Sequence, residues 1–344
     1  MLSKEQTSAN FEFPVYSSES ENNGIVGFTD NPEFICDKAT PVYITFGDHT
    51  RTFNIAQRSF SVLDNVKVLV PCTDNIKSLL FIVTSWKKQI PNLGYSRHWK
   101  VAKTCYIHLP QTTDGKIDFS FMEEFVHELE QSRLRELETY LLATGFKDYH
   151  LSQVDRSVLQ NFNNIRWHEF RVGDLFDKIS TIKLPYKAKK LPQQPISEYT
   201  LPCLTSSFMN QGLNYYVPRE GATILKNVIS IPSNSDVYRA YYQSRDFTVL
   251  SDAYAIQWIY DSTEITSKQY LFMVACINKV TDLSIYSYKN KLGGWNVVKD
   301  KYISLPATAD GQPNLAVMEE LVTALQKTAI TDVAKYTEQQ LKGH

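Results

Sequence analysis

Glycine is sparse in this sequence, 13 of 344 residues, against an average of about 7%. Turns that cradle a phosphate or a dinucleotide are built from glycine, and no Gly-rich phosphate loop is present. Gly-x-Ser-x-Gly is absent too, as is the Asn-Pro-Pro or Asp-Pro-Pro string followed by an aromatic with which amino-methyltransferases act on a flipped base. The five cysteines, at 36, 72, 105, 203 and 276, are odd in number and far apart, and none forms Cys-x-x-Cys. This argues against a disulfide framework and a zinc knuckle and predicts reduced thiols in a cytosol. The seven histidines do not cluster. His127-Glu128 opens a zincin-like string, but Gln131 stands where the second histidine is required. No metal site and no catalytic residue is expected.

An excess of one charge is missing as well. Lys and Arg number 36 against 37 acids, a formal net charge of -1. No global cationic field announces a nucleic-acid or membrane partner, so binding of that kind has to be local. No apolar run reaches the ~18 residues of a membrane span, and Met1-Leu2-Ser3-Lys4-Glu5-Gln6 lacks the apolar core of a secretion signal. Leu79-Leu80-Phe81-Ile82-Val83, the longest conspicuous run, reads as a buried strand. What the chain does have is material for a core, with 43% apolar and 12% aromatic residues, at a length that suits two domains of about 150 residues each.

An internal repeat organises the chain. Phe13-Pro14-Val15-Tyr16-Ser17-Ser18 followed by Asn22-Asn23-Gly24 returns as Leu201-Pro202-Cys203-Leu204-Thr205-Ser206-Ser207 followed by Asn210-Gln211-Gly212, an offset of 188. Phe60-Ser61-Val62-Leu63 recurs as Phe247-Thr248-Val249-Leu250. The closing blocks match better still. Tyr106-Ile107-His108-Leu109-Pro110, Asp114-Gly115 and Met122-Glu123-Glu124 return as Tyr302-Ile303-Ser304-Leu305-Pro306, Asp310-Gly311 and Met318-Glu319-Glu320, an offset of 196. Four ordered blocks at nearly constant spacing imply duplication of a unit of roughly 190 residues.

Each unit begins strand-rich and ends helical. Val42–Phe46, Val66–Val70, Thr104–Ile107, Val228–Ile231 and Tyr254–Trp258 are β-branched and aromatic runs bounded by turn residues, which predicts strands. After Asp-Gly the period changes: Phe119, Met122, Val126, Leu129, Arg133, Leu137 and Tyr140 step by three and four, as do Met318, Leu321, Leu325, Ala329, Val333 and Tyr336. The narrow apolar seam on two equivalent helices predicts that they pack on each other, antiparallel if the units are related by a two-fold axis.

Ile165-Arg166-Trp167-His168-Glu169-Phe170-Arg171-Val172-Gly173-Asp174-Leu175-Phe176 and the paired Leu-Pro, Asp-Gly, Met-Glu-Glu closings resemble the specificity subunits of type I restriction-modification systems and of the related bipartite type IIB enzymes. The resemblance spans nearly the whole chain. It implies an α+β fold with two tandem α/β target recognition domains joined by an antiparallel pair of long helices. The first recognition domain would be 1–118, the central helical region 119–164, the second recognition domain 165–314 and the C-terminal helical region 315–344. It further implies double-stranded DNA and DNA adenine methyltransferase subunits as partners, with a restriction nuclease subunit where the system cuts. S-adenosylmethionine, and Mg2+ with ATP if a nuclease joins, would sit on those partners. Residue 167 less the offset of 188 is -21, so the opening segment of the first domain is expected to be missing. The competing reading is a duplicated protein- or glycan-binding module, or a truncated orphan specificity subunit.

If the units read DNA, loops carrying Arg, Asn and Gln should meet base edges, and Lys, Ser and Thr the phosphates. In the first unit these are His49, Thr50, Arg51, Asn54, Gln57 and Arg58, and in the second Asn234, Ser235, Tyr238, Arg239, Tyr242, Gln243 and Arg245. Local basic stretches add Arg97, Lys187, Lys189, Lys289 and Lys291. Residues 75–113 carry no acid, yet hold Lys77, Lys87, Lys88, Arg97, Lys100 and Lys103. Trp99 and Trp295 fall at equivalent places and read as core anchors.

Overall fold

The computed structural model describes residues 7–233, 238–250, 252–283, 290 and 292–342. The chain divides into two compact units, Met1–Tyr140 with Gln339–His344, and Leu141–Glu338. No helix among the described residues is long and apolar enough to cross a membrane.

In the first unit, strands β1 (Phe13–Tyr16), β2 (Ile25–Thr29), β3 (Tyr43–Gly47), β4 (Thr52–Ala56), β5 (Ser61–Val62) and β6 (Val66–Leu69) precede helices α1 (Ile76–Gln89), α2 (Trp99–Ala102) and α3 (Phe119–Ala143). They form two three-stranded sheets, β2-β1-β5 and β4-β3-β6. Val42, Ile44, Leu79 and Val83 bury one face of β3 under α1. On α1, Lys77 reaches Glu130 on α3 at 3.4 Å, and the Ser78 hydroxyl donates to the Phe119 carbonyl at 3.1 Å.

The run Leu79–Val83 is therefore helical, correcting the expected strand. Asn75 caps the helix, its side-chain oxygen accepting from Ser78 N at 2.9 Å. A short apolar run is equally at home in a buried helix, and here the cap decides it.

In the second unit, helix α4 (Gln153–Gln160) is followed by β7 (Trp167–Arg171), α5 (Val172–Leu175), β8 (Phe176–Lys178), β9 (Tyr199–Leu204), β10 (Leu213–Pro218), β11 (Val228–Pro232), β12 (Tyr241–Gln243), β13 (Thr248–Val249) and β14 (Ala253–Trp258). Then come α6 (Ser267–Thr281), α7 (Trp295–Val298), β15 (Tyr302–Pro306) and α8 (Leu315–Lys342). The sheets are β10-β9-β13, β12-β11-β14-β8 and β15-β7. Phe176, Ile229, Ile231, Ile256, Met273 and Ile277 belong to one buried cluster between the four-stranded sheet and α6.

The duplication shows in the pairing itself. β1 runs antiparallel to β2 and parallel to β5, with Val15 opposite Ser61. β9 runs antiparallel to β10 and parallel to β13, with Cys203 opposite Thr248. The hairpin turns match down to the backbone. Asn22, Asn23 and Gly24 all have positive φ, as do Asn210, Gln211 and Gly212. Asn22 Nδ2 donates to the Ile25 carbonyl, and Asn210 Nδ2 to the Leu213 carbonyl. The closing glycine is required at the second turn, since a Cβ on Gly212 would lie 2.4 Å from Leu204 Cδ1.

The units differ where the opening motif acts. Its first half forms β7, which pairs with the closing strand β15 (Phe170 opposite Ile303), and its second half forms β8, which covers the edge of β14 (Phe176 opposite Trp258). Among the described residues, β6 has no second neighbour, and the closing segment 104–110 of the first unit forms no strand. The expected strand at Thr104–Ile107 is thus corrected. Its homologue in the second unit is held by main-chain bonds to β7 that the first unit does not make, and Tyr106 is 91% exposed.

A polar clamp ties α4 to α8 within the second unit. Ser152 and Asp155 form a capping box at the start of α4. Lys327 Nζ on α8 lies 3.0 Å from Asp155 Oδ2, 3.5 Å from Asp148 Oδ2 and 3.1 Å from the His150 carbonyl. Burial raises the Asp155 pKa, but hydrogen bonds from Ser152 and Lys327 outweigh it and hold the carboxyl below its ordinary value. The Asp155 contact holds Lys327 above the usual lysine value.

Candidate nucleic-acid interface

The first unit gathers its polar residues at the β3–β4 turn. Gly47, Asp48, His49, Thr50 and Arg51 link the strands, and Arg51 has φ +58°. His98, fully buried, pins this turn to the loop before α2. Its Nε2 accepts from Leu93 N at 3.0 Å, so Nδ1 carries the proton and donates to the Asp48 carbonyl at 2.9 Å. Asp48 Oδ1 accepts from Trp99 N, and Ser18 Oγ accepts from His49 N at 2.8 Å. As a result the His49 ring stacks on Tyr95, centroids 4.6 Å apart and planes 11° from parallel. Tyr95 is 87% exposed and Arg97 is exposed on the same loop.

Sequence reasoning missed Tyr95. Its signal was a lone aromatic between Gly94 and Ser96, which only the His98 contacts turn into a presented ring.

The remaining candidates of this unit sort by what holds them. Arg51 Nη1 donates to the Ile90 carbonyl at 2.9 Å, and Arg58 Nη2 to the Glu12 carbonyl at 2.9 Å. Asn54 lies half-buried within β4, not on a loop, with Nδ2 3.4 Å from Thr45 Oγ1. Gln57 is exposed just after β4. Thr50 is corrected as a phosphate ligand, because its hydroxyl is buried against the turn.

In the second unit the expected loop contains strand β12, and two of its candidates are corrected. Tyr238 is fully buried, packed so closely under Gly293 that a Cβ there would lie 1.7 Å from the ring. Gln243 is buried, and its Nε2 donates to Ser230 Oγ at 2.9 Å and to the Gln211 carbonyl at 3.2 Å. Arg239 grips Asp282 Oδ2 through Nε and Nη2. Tyr242 is half-buried, stacked on Tyr270, with its hydroxyl donating to Asn227 Oδ1. Burial pushes its phenol above the ordinary tyrosine value. Arg245 is exposed and makes no side-chain bond among the described residues. Lys187 and Lys189 are exposed around the helical turn Ala188–Lys190. Asn234, Ser235, Lys289 and Lys291 lie outside the described residues.

Trp99 packs against Phe46, and Trp295 against Tyr254. Among the described residues no group of three His, Cys, Asp or Glu could hold a metal ion. The arrangement offers donors, acceptors and stacked rings on exposed turns, which suits recognition of a polar surface.

A family model described as the type I restriction modification DNA specificity domain matches residues 164–335. The type II restriction enzyme specificity subunit S.BcgI of Heyndrickxia coagulans is 23% identical over 329 residues, covering 92% of this chain and 87% of that one. The type I restriction-modification S subunit from M. genitalium shares the fold, with a TM-score of 0.55 at 12% identity, covering 100% of this chain and 88% of that chain. The family match, which spans half of the sequence and includes the β7–β8 opening and the closing run into α8, establishes that this chain belongs to the type I restriction-modification DNA specificity family.

Proposed function

We propose that the chain reads a split site on double-stranded DNA, one half with each unit, and carries DNA adenine methyltransferase subunits on α3 and α8. The observation behind this is the doubled strand topology with its matching positive-φ turns, because two homologous bodies on one chain are what a bipartite site calls for. The recognition domains are 1–118 and 165–314, and the helical regions 119–164 and 315–344. The chain itself catalyses nothing in this reading. S-adenosylmethionine, and Mg2+ with ATP where a nuclease subunit joins, are bound by partners, and the complex works in the cytoplasm.

With a net charge of -1, the chain alone releases few counterions from DNA and binds it weakly, while the assembled complex binds tightly. Methylome sequencing of cells with and without the gene tests the proposal. A bipartite adenine-methylation motif that disappears with the gene is the expected result, and an unchanged methylome refutes it. Binding of duplex DNA that weakens as salt rises separates this reading from a glycan- or protein-binding module.

A further inference from the structure

The β9–β10 hairpin and the segment before it enclose an open cleft of about 690 Å3. Leu191, buried with Leu201, Cys203 and Val217, anchors that segment, and Tyr216 N donates to the Pro192 carbonyl at 3.0 Å. The opposite wall is the turn, closed by Thr205 N donating to the Gly212 carbonyl at 3.1 Å and by the Asn210 amide on Leu213. Both walls are thus fixed before any ligand arrives.

Three carboxamides line the cleft with no hydrogen bond among the described residues, those of Gln193, Gln194 and Asn214. Asn210 also lines it, but its amide is spent on the turn, which makes it a positioning residue. Lys189 is the one cation of the lining, and no acid belongs to it.

We infer that this cleft reads adenine in the half-site of the second unit, through the major groove, with Gln193, Gln194 and Asn214 determining specificity. This rests on the DNA reading proposed above. The chemistry selects the base. Guanine offers two acceptors and is met by Arg or Lys, cytosine offers a donor and is met by a carboxylate, and adenine offers N7 and N6–H side by side, which a carboxamide answers with one donor and one acceptor. A site that held phosphate alone would gather cations, and this one has a single lysine. Adenine N7 and N6–H both face the major groove, and Asn214 stands on β10, the edge strand of the β10-β9-β13 sheet.

The lining of the cleft is not repeated in the first unit's sequence. At the offset of 188, Asn214 and Tyr215 correspond to Val26 and Gly27, and a Cβ on Gly27 would meet Thr7 at 2.3 Å. The same scaffold therefore presents different side chains at these positions in the two units.

The test is the methylation motif written by the full system carrying Gln193→Ala, Gln194→Ala or Asn214→Ala. At least one variant is expected to lose roughly 10- to 100-fold of the discrimination at an A·T position of one half-site, leaving the other half-site intact as an internal control for folding and assembly. Gln194→Glu is expected to move the preference at its position from adenine towards cytosine. Equal weakening at every sequence, relaxation only at G·C positions, or an unchanged motif in all variants would overturn the inference. A wild-type system that writes no bipartite motif would instead overturn the DNA reading on which it rests.

Discussion

Lys327→Met tests the α4–α8 clamp most directly. The Lys327 side chain is 18% exposed and that of Asp155 6%, so the variant leaves a carboxylate out of water without its cation. Removing one partner of a buried pair costs about 3–5 kcal/mol. Asp155 keeps its hydrogen bonds from Ser152, and Lys327 is partly wet, so the cost falls below that range, to about 2–3 kcal/mol. For a unit of roughly 200 residues, each 1 kcal/mol moves Tm by about 2–4 °C, which gives a fall of roughly 4–12 °C in calorimetry at pH 7.

The effect is expected to depend on pH with a definite sign. The Asp155 carboxyl is depressed in the fold, so its contribution is present above the unfolded carboxylate pKa of about 3.9 and is lost as pH falls through the lower folded value. Lys327 is raised, so its contribution is full below the unfolded lysine value of about 10.4 and is lost only as pH climbs through the higher folded one. The gap between variant and wild type should therefore be full at neutral pH and close in acid. A double-mutant cycle with Asp155→Asn should return a coupling of at least about 1 kcal/mol. A variant within about 0.5 kcal/mol of wild type at pH 7, or a gap that persists unchanged in acid, would refute the clamp.

Other side chains give separable outcomes. Arg245→Ala should relax one half-site of the methylation motif while leaving Tm unchanged, whereas Arg239→Ala, which breaks the partly exposed pair with Asp282, should lower stability by no more than about 1 kcal/mol and leave the motif alone. Gly293→Ala should destabilise the second unit by about 1–3 kcal/mol, read by calorimetry, because its Cβ has to displace the buried Tyr238 ring. In alkylation followed by mass spectrometry, exposed Cys72 should label first and Cys203, whose thiol burial pushes up to about 12, only on unfolding. Inserting four residues after Gln131 in α3 and four after Lys335 in α8, beyond the Lys327 clamp, lengthens each helix by about 6 Å. The motif's spacer is then expected to grow by one or two base pairs at ~3.4 Å each, with both half-sites unchanged.

The duplication was legible because similar blocks return in the same order at nearly constant spacing, and β1 and β9 with their turns fall on one such pair. The long helices were legible too, since their seams step by three and four over many turns. Helices α1 and α6 were not. Leu79–Val83 is too short to show a period, and the Asn75 cap carries the decision. Nor did residue type separate readers from supports among the candidates. Arg51, Arg239 and Gln243 look like base readers as letters, but each is consumed by a carbonyl, a carboxylate or a hydroxyl brought up from elsewhere in the fold.

By itself, then, the sequence determined the repeated unit and the mixed α and β character, both properties of neighbours along the chain. Tertiary structure decided which polar groups stay free. Whether Gln194 or Gln243 has an amide to spare depends on residues tens of positions away, since a hydrogen bond satisfied inside the protein is one not available to a ligand. It also decided that segment 104–110 remains without a strand while its homologue Tyr302–Pro306 becomes one, because an edge becomes a strand only when another backbone is there to pair with it.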